Sequence, residues 1–174
     1  MNAILEQSEL LAGLDKSHVS RLLSLSSSQP LDTGEYLFQL GDDATRLYVV
    51  LEGRIDICFP FSLGGEMRDI AVESKSPGSA IGWSSFVKPN RFRLSARAAQ
   101  PSTLASFERQ DLQRLIDEDS RLGLAFISRI AEIVGGRLLK IQALWARELQ
   151  RSLPRGMSGP LAGAPGAHQV GPDR

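Results

Sequence analysis

Leu47-Tyr48-Val49-Val50-Leu51-Glu52-Gly53-Arg54-Ile55-Asp56-Ile57-Cys58-Phe59 is the stretch on which the fold turns. An apolar run of five residues meets a Glu-Gly turn. Ile55, Ile57 and Phe59 then alternate with Arg54, Asp56 and Cys58, so the segment reads as two strands joined by a tight turn. The same pattern continues outward on both sides. Tyr36-Leu37-Phe38 precedes Gly41-Asp42-Asp43. After Gly64-Gly65 come Met67–Val72, then Pro77-Gly78, Ala80-Ile81-Gly82-Trp83, the stretch from Phe92 to Ala98, and Thr103–Phe107. Many short strands punctuated by glycine predict an antiparallel sandwich or barrel. Gly41, Gly53 and Gly65 are expected to take positive φ in turns. Cys58 points away from the Ile57 face, which makes it a small strand residue rather than a reactive thiol.

Helical periods flank this block. Before Pro30, where the period changes to 2, Ile4, Leu5, Leu10, Leu11 and Leu14 form one stripe. Asp15 is positioned to cap a second helix carrying Val19, Leu22, Leu23 and Leu25. His18, in its first turn, reads as a surface or capping-region side chain, because no second ligand is spaced to share a metal with it. After the strands, Glu108–Ile116 predicts a short helix with Leu112, Leu115 and Ile116 inward.

A longer helix follows, from about Asp119 to Leu153. At 1.5 Å per residue it would run roughly 45 Å, beyond the reach of a body this size. Ile127, Ile130, Val134, Leu138, Ile141, Leu144 and Trp145 form its stripe, with Ala131 and Leu149 widening it. The partner expected for the distal half is the same helix of a second chain, packed as a short coiled coil. The alternative is folding back or fraying beyond Gly135-Gly136. From Pro154 the tail is Pro, Gly and Ala with little else, a composition expected to be disordered. The resulting division is 1–28 helices, 29–117 strands, 118–153 long helix and 154–174 tail.

Composition narrows the function. The chain has 174 residues, with 20 basic and 20 acidic side chains. That gives room for one domain and an appendage, and no charge surplus for gripping nucleic acid. No apolar run is long enough to span a membrane, and the N-terminus lacks the pattern of a secretory signal, so a cytoplasmic location is expected. One cysteine and two histidines leave little material for a metal or catalytic cluster, and no enzymatic activity is expected.

Three linked motifs carry a resemblance. Leu11-Ala12-Gly13-Leu14, then Gly34-Glu35-Tyr36-Leu37-Phe38-Gln39-Leu40-Gly41-Asp42, then Leu47–Ile55 with its Tyr-x-Val-x-x-Gly-x-Ile core resemble the cyclic-nucleotide-binding domain of the Crp/Fnr type. The likeness runs from about Leu10 to Arg151. It implies a mainly β fold, a double-stranded β-helix or jelly roll, with N-terminal helices and a long C-terminal helix acting as dimer seam and ligand lid.

The resemblance also implies a phosphate-binding cassette between two strands. A Gly-Glu pair, a short helix and an arginine there would hold a cyclic nucleotide. The helix N-terminus and the arginine would take the phosphate, and the glutamate the ribose hydroxyl. Here the stretch is Pro77–Ala98. Gly82 matches, but Trp83 stands where the glutamate should follow. Ser84 and Ser85 could still donate to an anion. Counting forward from Gly82 allows Arg93 as the arginine, with Arg91 nearby; counting back from Arg97-Ala98 puts Phe92 there. On an alternating strand Arg91, Arg93, Ser95 and Arg97 would share a face, which leaves open whether they reach the pocket or only solvent. An indole offers a ribose hydroxyl no acceptor and has the bulk to fill its space. The pocket is therefore expected to have diverged, either closed by aromatics or adapted to a more apolar or planar ligand.

Three functions follow as expectations. The favoured one is a homodimeric sensor or scaffold that works through a regulatory protein partner or a non-standard ligand. The second is a working receptor for cAMP, cGMP or another small anion. The weakest is a cupin-like enzyme, for which the histidine cluster is missing. No helix-turn-helix pattern follows the long helix, so direct DNA reading is not expected.

Overall fold

The computed structural model describes residues 2–152. Two helices, α1 (Asn2–Glu6) and α2 (Lys16–Ser24), precede the strands β1 (Ser26–Leu31), β2 (Tyr36–Phe38), β3 (Arg46–Glu52) and β4 (Ile55–Leu63). Then come β5 (Glu66–Lys75), β6 (Ala80–Ile81), β7 (Ser95–Ala98) and β8 (Ser102–Glu108), followed by α3 (Arg109–Glu118) and α4 (Ser120–Ser152). The strands pair antiparallel into two sheets, ordered β1-β8-β3-β6 and β2-β7-β4-β5. This is the antiparallel two-sheet architecture that the strand pattern predicts, and the jelly roll with flanking helices that the resemblance implies.

Strand β3 explains why its sequence is an unbroken apolar run. Tyr48 and Val50 enter the core between the sheets, with Ile55, Ile57, Phe92 and Leu104. Leu47, Val49 and Leu51 point the other way, into a second core under the helices that also holds Phe107, Leu112, Leu122 and Phe126. A strand covered on both faces has no solvent side to mark with polar residues. Its turn requires glycine at 53. Gly53 has φ +85°, and a Cβ there would land on Ser102 and on the Pro101 carbonyl.

The N-terminal segment departs from the expected pair of helices. Only Asn2–Glu6 is regular helix before α2, and the chain then turns through residues 7–14. The buried Ser8 is the reason. Its hydroxyl donates to Leu5 O (2.6 Å) and accepts the Leu11 N–H (3.3 Å), offering the backbone an alternative to the helix. Leu5, Leu10 and Leu11 are still buried, whereas Ile4 is exposed. Asp15 precedes α2 without a side-chain capping bond. Strand β1 begins at Ser26, ahead of Pro30, because Ser26–Ser28 pair with Phe107–Ala105 of β8. Serine carries little strand preference of its own, and here the neighbour supplies it. Cys58 is fully buried, and burial raises its thiol pKa, which makes the thiolate scarcer.

Helix α4 starts on a cap. Asp119 Oδ1 accepts the N–H groups of Leu122 (3.1 Å) and Arg121 (3.2 Å), and Oδ2 takes Arg21 Nη1 (2.6 Å) with His18 Nε2 at 3.7 Å. The Leu122 N–H above all holds the Asp119 carboxyl below its ordinary 3.8, with Arg21 and His18 acting in the same direction. A folded value below the unfolded one means stability that is present above pH 3.8 and lost as pH falls through the folded value. Asp119→Ala is therefore expected to lower Tm at neutral pH, and the gap from the parent protein should narrow as thermal melts are taken below pH 3.8. A gap that does not change with pH would assign the effect to packing instead.

Two compact units divide the chain at Arg137. In the first, α4 buries Leu122, Phe126 and Ile130 against the helix-side core, and Val134 packs beside them. Ile130, expected in the dimer seam, is 4% exposed within the protomer's own core, because the stripe at that level serves the body first. In the second unit, residues 138–152 are helical, and Leu138, Ile141, Leu144, Trp145 and Leu149 are exposed. The helix continues through Gly135-Gly136 without fraying. The tail from Pro154, expected to be disordered, lies outside the described residues. No helix among the described residues is long and apolar enough to cross a membrane.

Candidate functional site

The stretch from Pro77 to Ala98 joins the two sheets and contains the predicted cassette. Strand β6 pairs Ala80 and Ile81 with Val49 and Tyr48, which delivers the chain to Gly82 against β3. Gly82 has φ +90°, and a Cβ there would come within 2.8 Å of the Arg46 carbonyl, so glycine is required both for the turn and for the close approach. A single 3₁₀ turn, Trp83–Phe86, follows. Ser84 and Ser85 are buried in it. The Ser85 hydroxyl donates to Gly82 O (2.8 Å), and the Ser85 carbonyl accepts Asn90 Nδ2 (2.8 Å). These bonds hold the turn's shape.

The aromatic residues divide between the two cores. Trp83 is half-buried and packs against the helix-side core with Phe86, whose ring meets Phe126 of α4 edge-on at 5.2 Å. It is therefore turned toward the helices and not into the space between the sheets. Phe92 occupies that space: 4% exposed, it stacks on Phe38 with centroids 3.6 Å apart and planes 8° from parallel. Tyr48 extends the group, 6.1 Å from Phe38, and burial raises its phenol pKa.

The arginines do not follow a simple strand alternation. Regular pairing resumes only at Ser95, and between Asn90 (φ 60°) and Leu94 the chain is irregular apart from a bridge between Arg91 and Asp43. Arg91 is exposed; it pairs with Asp43 (3.4 Å) and donates to Gly41 O (3.2 Å). Arg93 is also exposed. Ser95 and Ala96 are both buried, which an alternating strand with one solvent face does not allow. The Ser95 hydroxyl accepts the Leu40 N–H at 3.0 Å. Arg97 lies 5.8 Å over the ring of Tyr36, whose hydroxyl donates to Asp69 (2.7 Å). That hydrogen bond is the main reason the Tyr36 pKa is raised.

The sequence profile of the cyclic nucleotide-binding domain matches residues 28–119, which span both sheets and the whole cassette. The chain belongs to the cyclic nucleotide-binding domain family. Among solved structures, the N-terminal domain of a transcriptional regulator from Streptomyces coelicolor A3(2) superposes with TM-score 0.62 at 25% identity, covering 79% of this chain and 94% of that one. The Thermus thermophilus catabolite activator protein gives TM-score 0.63 at 26% identity, with 82% of this chain spanning 63% of that protein. A c-di-GMP responsive global regulator from Xanthomonas campestris shares the fold, with TM-score 0.65 at 22% identity over 76% of this chain and 64% of its own. No curated protein sequence matches the chain. The chain is thus a regulatory-type cyclic nucleotide-binding domain of the Crp/Fnr kind.

Within this domain two features escaped the sequence reading. Phe38 stands against Phe92, a juxtaposition set by backbone pairing of Phe92 with Gly41 and Asp42 between segments more than fifty residues apart, with no local signal to announce it. Glu73 of β5 meets Lys75 Nζ at 2.8 Å and Arg137 Nε at 3.6 Å, and so joins the edge strand to α4. Glu73 and Lys75 lie two apart on one strand, but nothing local names Arg137 as their third member.

Proposed function

We propose that the chain is a homodimeric regulatory domain whose nucleotide pocket has diverged, and that it acts through a protein partner or a ligand other than a standard cyclic nucleotide. One observation carries this reading. Phe92, at one of the positions where the cassette arginine could fall, is stacked on Phe38 between the sheets, while Arg91 and Arg93 stand at the surface. A cyclic phosphate brought against that pair would lose its hydration and gain no cation, a cost of several kcal/mol or more for a desolvated anion. Trp83 supplies no carboxylate for a ribose hydroxyl, which adds about 1–3 kcal/mol for a buried donor left unpaired.

Isothermal titration with cAMP and with cGMP tests the reading. The expected result is no saturable heat, with any Kd weaker than about 1 mM. Micromolar binding of either nucleotide would overturn the diverged pocket and restore a receptor that uses Arg93 or Arg91 with the Ser84-Ser85 turn.

A further inference from the structure

Glu9 lies at the surface, in the turn between α1 and α2, yet three hydrogen bonds hold it. Its N–H donates to Gly78 O (2.9 Å), its carboxylate accepts the Ala80 N–H (2.9 Å), and its carbonyl accepts Arg129 Nη2 (2.7 Å). Gly78 and Ala80 lead directly into Gly82 and the cassette turn, and Arg129 belongs to α4. On its other side the same segment is fastened to β3, where Gly78 N–H donates to Val50 O (2.8 Å) and Val50 N–H to Ser79 O (3.0 Å). Strand β6 is therefore clamped between the rigid centre of a sheet and a single glutamate.

The turn that carries Glu9 is itself fixed. Ser8 is fully buried, and its hydroxyl bonds on both sides along the chain. Arg129 is held in turn by Glu132, while its Nε is buried without an acceptor. A guanidinium kept in place despite an unpaired donor is one whose remaining contacts determine its position, and one of those contacts is the Glu9 carbonyl.

We propose that Glu9 is a positioning residue that couples the cassette to α4, so that a displacement of the strand leading into Gly82 is passed through the N-terminal turn to Arg129. The direct ring contact between Phe86 and Phe126 gives the two regions a second tie. The coupling concerns the mechanics of the domain and stands whether a nucleotide, another ligand or a protein moves the cassette.

The geometry allows a sharp test, because the two side chains do not act on each other directly. The Glu9 carboxylate holds Ala80, whereas Arg129 holds the backbone carbonyl of Glu9. Amide hydrogen exchange of the full chain is measured by mass spectrometry for the parent, Glu9→Ala, Arg129→Ala and the double variant. Coupling predicts that each single variant speeds exchange about tenfold in both residues 78–86 and residues 126–134, and that the double variant adds little to the larger single effect. Glu9→Gln, which keeps an acceptor for Ala80, should restore parental protection. Segregated effects, with Glu9→Ala confined to the cassette, Arg129→Ala confined to α4 and the double variant their sum, would overturn the proposal. If Glu9→Ala does not fold, Arg129→Gln decides alone. It touches no cassette residue, so faster exchange at residues 80–86 supports the coupling and unchanged exchange refutes it.

Discussion

Phe126→Ala is expected to cost about 3–5 kcal/mol, the usual range for removing a buried aromatic ring and leaving its cavity behind. Phe126 is completely buried, in the core that α4 shares with β3, β8, α2 and α3. Its neighbours are held by sheet pairing on one side and by helices on the other, so they cannot collapse into the vacated volume. Against a total stability of about 5–15 kcal/mol typical of domains in general, roughly a fifth or more would go. The loss should appear as a lower urea midpoint with an unchanged slope. Because the ring packs edge-on against Phe86, the same variant should also loosen the cassette turn, and amides 83–86 should exchange faster than those of the hairpin β4–β5. Leu124→Ala is the control. Leu124 is 74% exposed on the same helix, and its truncation should stay within about 0.5 kcal/mol of the parent. A Phe126→Ala loss below about 1 kcal/mol would mean that α4 is not anchored there.

Elements whose polarity follows their environment could be read from the sequence, and those shaped by a single side-chain bond could not. The apolar run of β3 and the stripe of α4 each reflect which faces are covered, so the strand block and the long helix follow from composition and period. The alternation of β4 holds only through Ile57, because a bulge between Ile57 and Cys58 buries Cys58 and leaves Phe59 exposed. Residues 7–14 fail that reading because Ser8 bends the chain through bonds to Leu5 and Leu11, an effect invisible to a count of leucines. The cassette shows the same split. Glycine at 82 was legible through the resemblance, and its reason is that only glycine tolerates both φ +90° and the Arg46 carbonyl. The placement of Phe92 and the arginines was not, because it depends on where regular pairing resumes after Asn90. Ser95 and Ala96 stand on opposite faces of β7, and both are buried because the core between the sheets covers Ala96 and the Leu40 segment covers Ser95, while the irregular chain before Ser95 leaves Arg91 and Arg93 outside.

Ile141→Asp combined with Leu144→Asp is expected to convert a dimer into a monomer. In residues 138–152 the helix exposes Leu138, Ile141, Leu144, Trp145 and Leu149, with Trp145 at 71%. Scattered exposed apolar side chains are ordinary, but a row of them on consecutive turns of one helix marks an interaction surface, which the proposed function gives to a second copy. In a two-fold symmetric seam each residue is buried twice, so the paired substitution removes four apolar side chains at once. At about 1.5 kcal/mol each, that is worth roughly four powers of ten in Kd, before counting the repulsion and desolvation of four carboxylates. The variant should keep its circular dichroism, because Ile141 and Leu144 support nothing in their own protomer's core. Sedimentation equilibrium should give about twice the 19.0 kDa chain mass for the parent and the chain mass itself for the variant. Ile130→Asp separates this seam from the protomer's interior. That residue is buried in its own body, so its loss should appear first as unfolding rather than as dissociation. A parent protein that sediments as a monomer at high concentration would leave the apolar row of residues 138–149 to a different partner and remove homodimerisation from the proposed function.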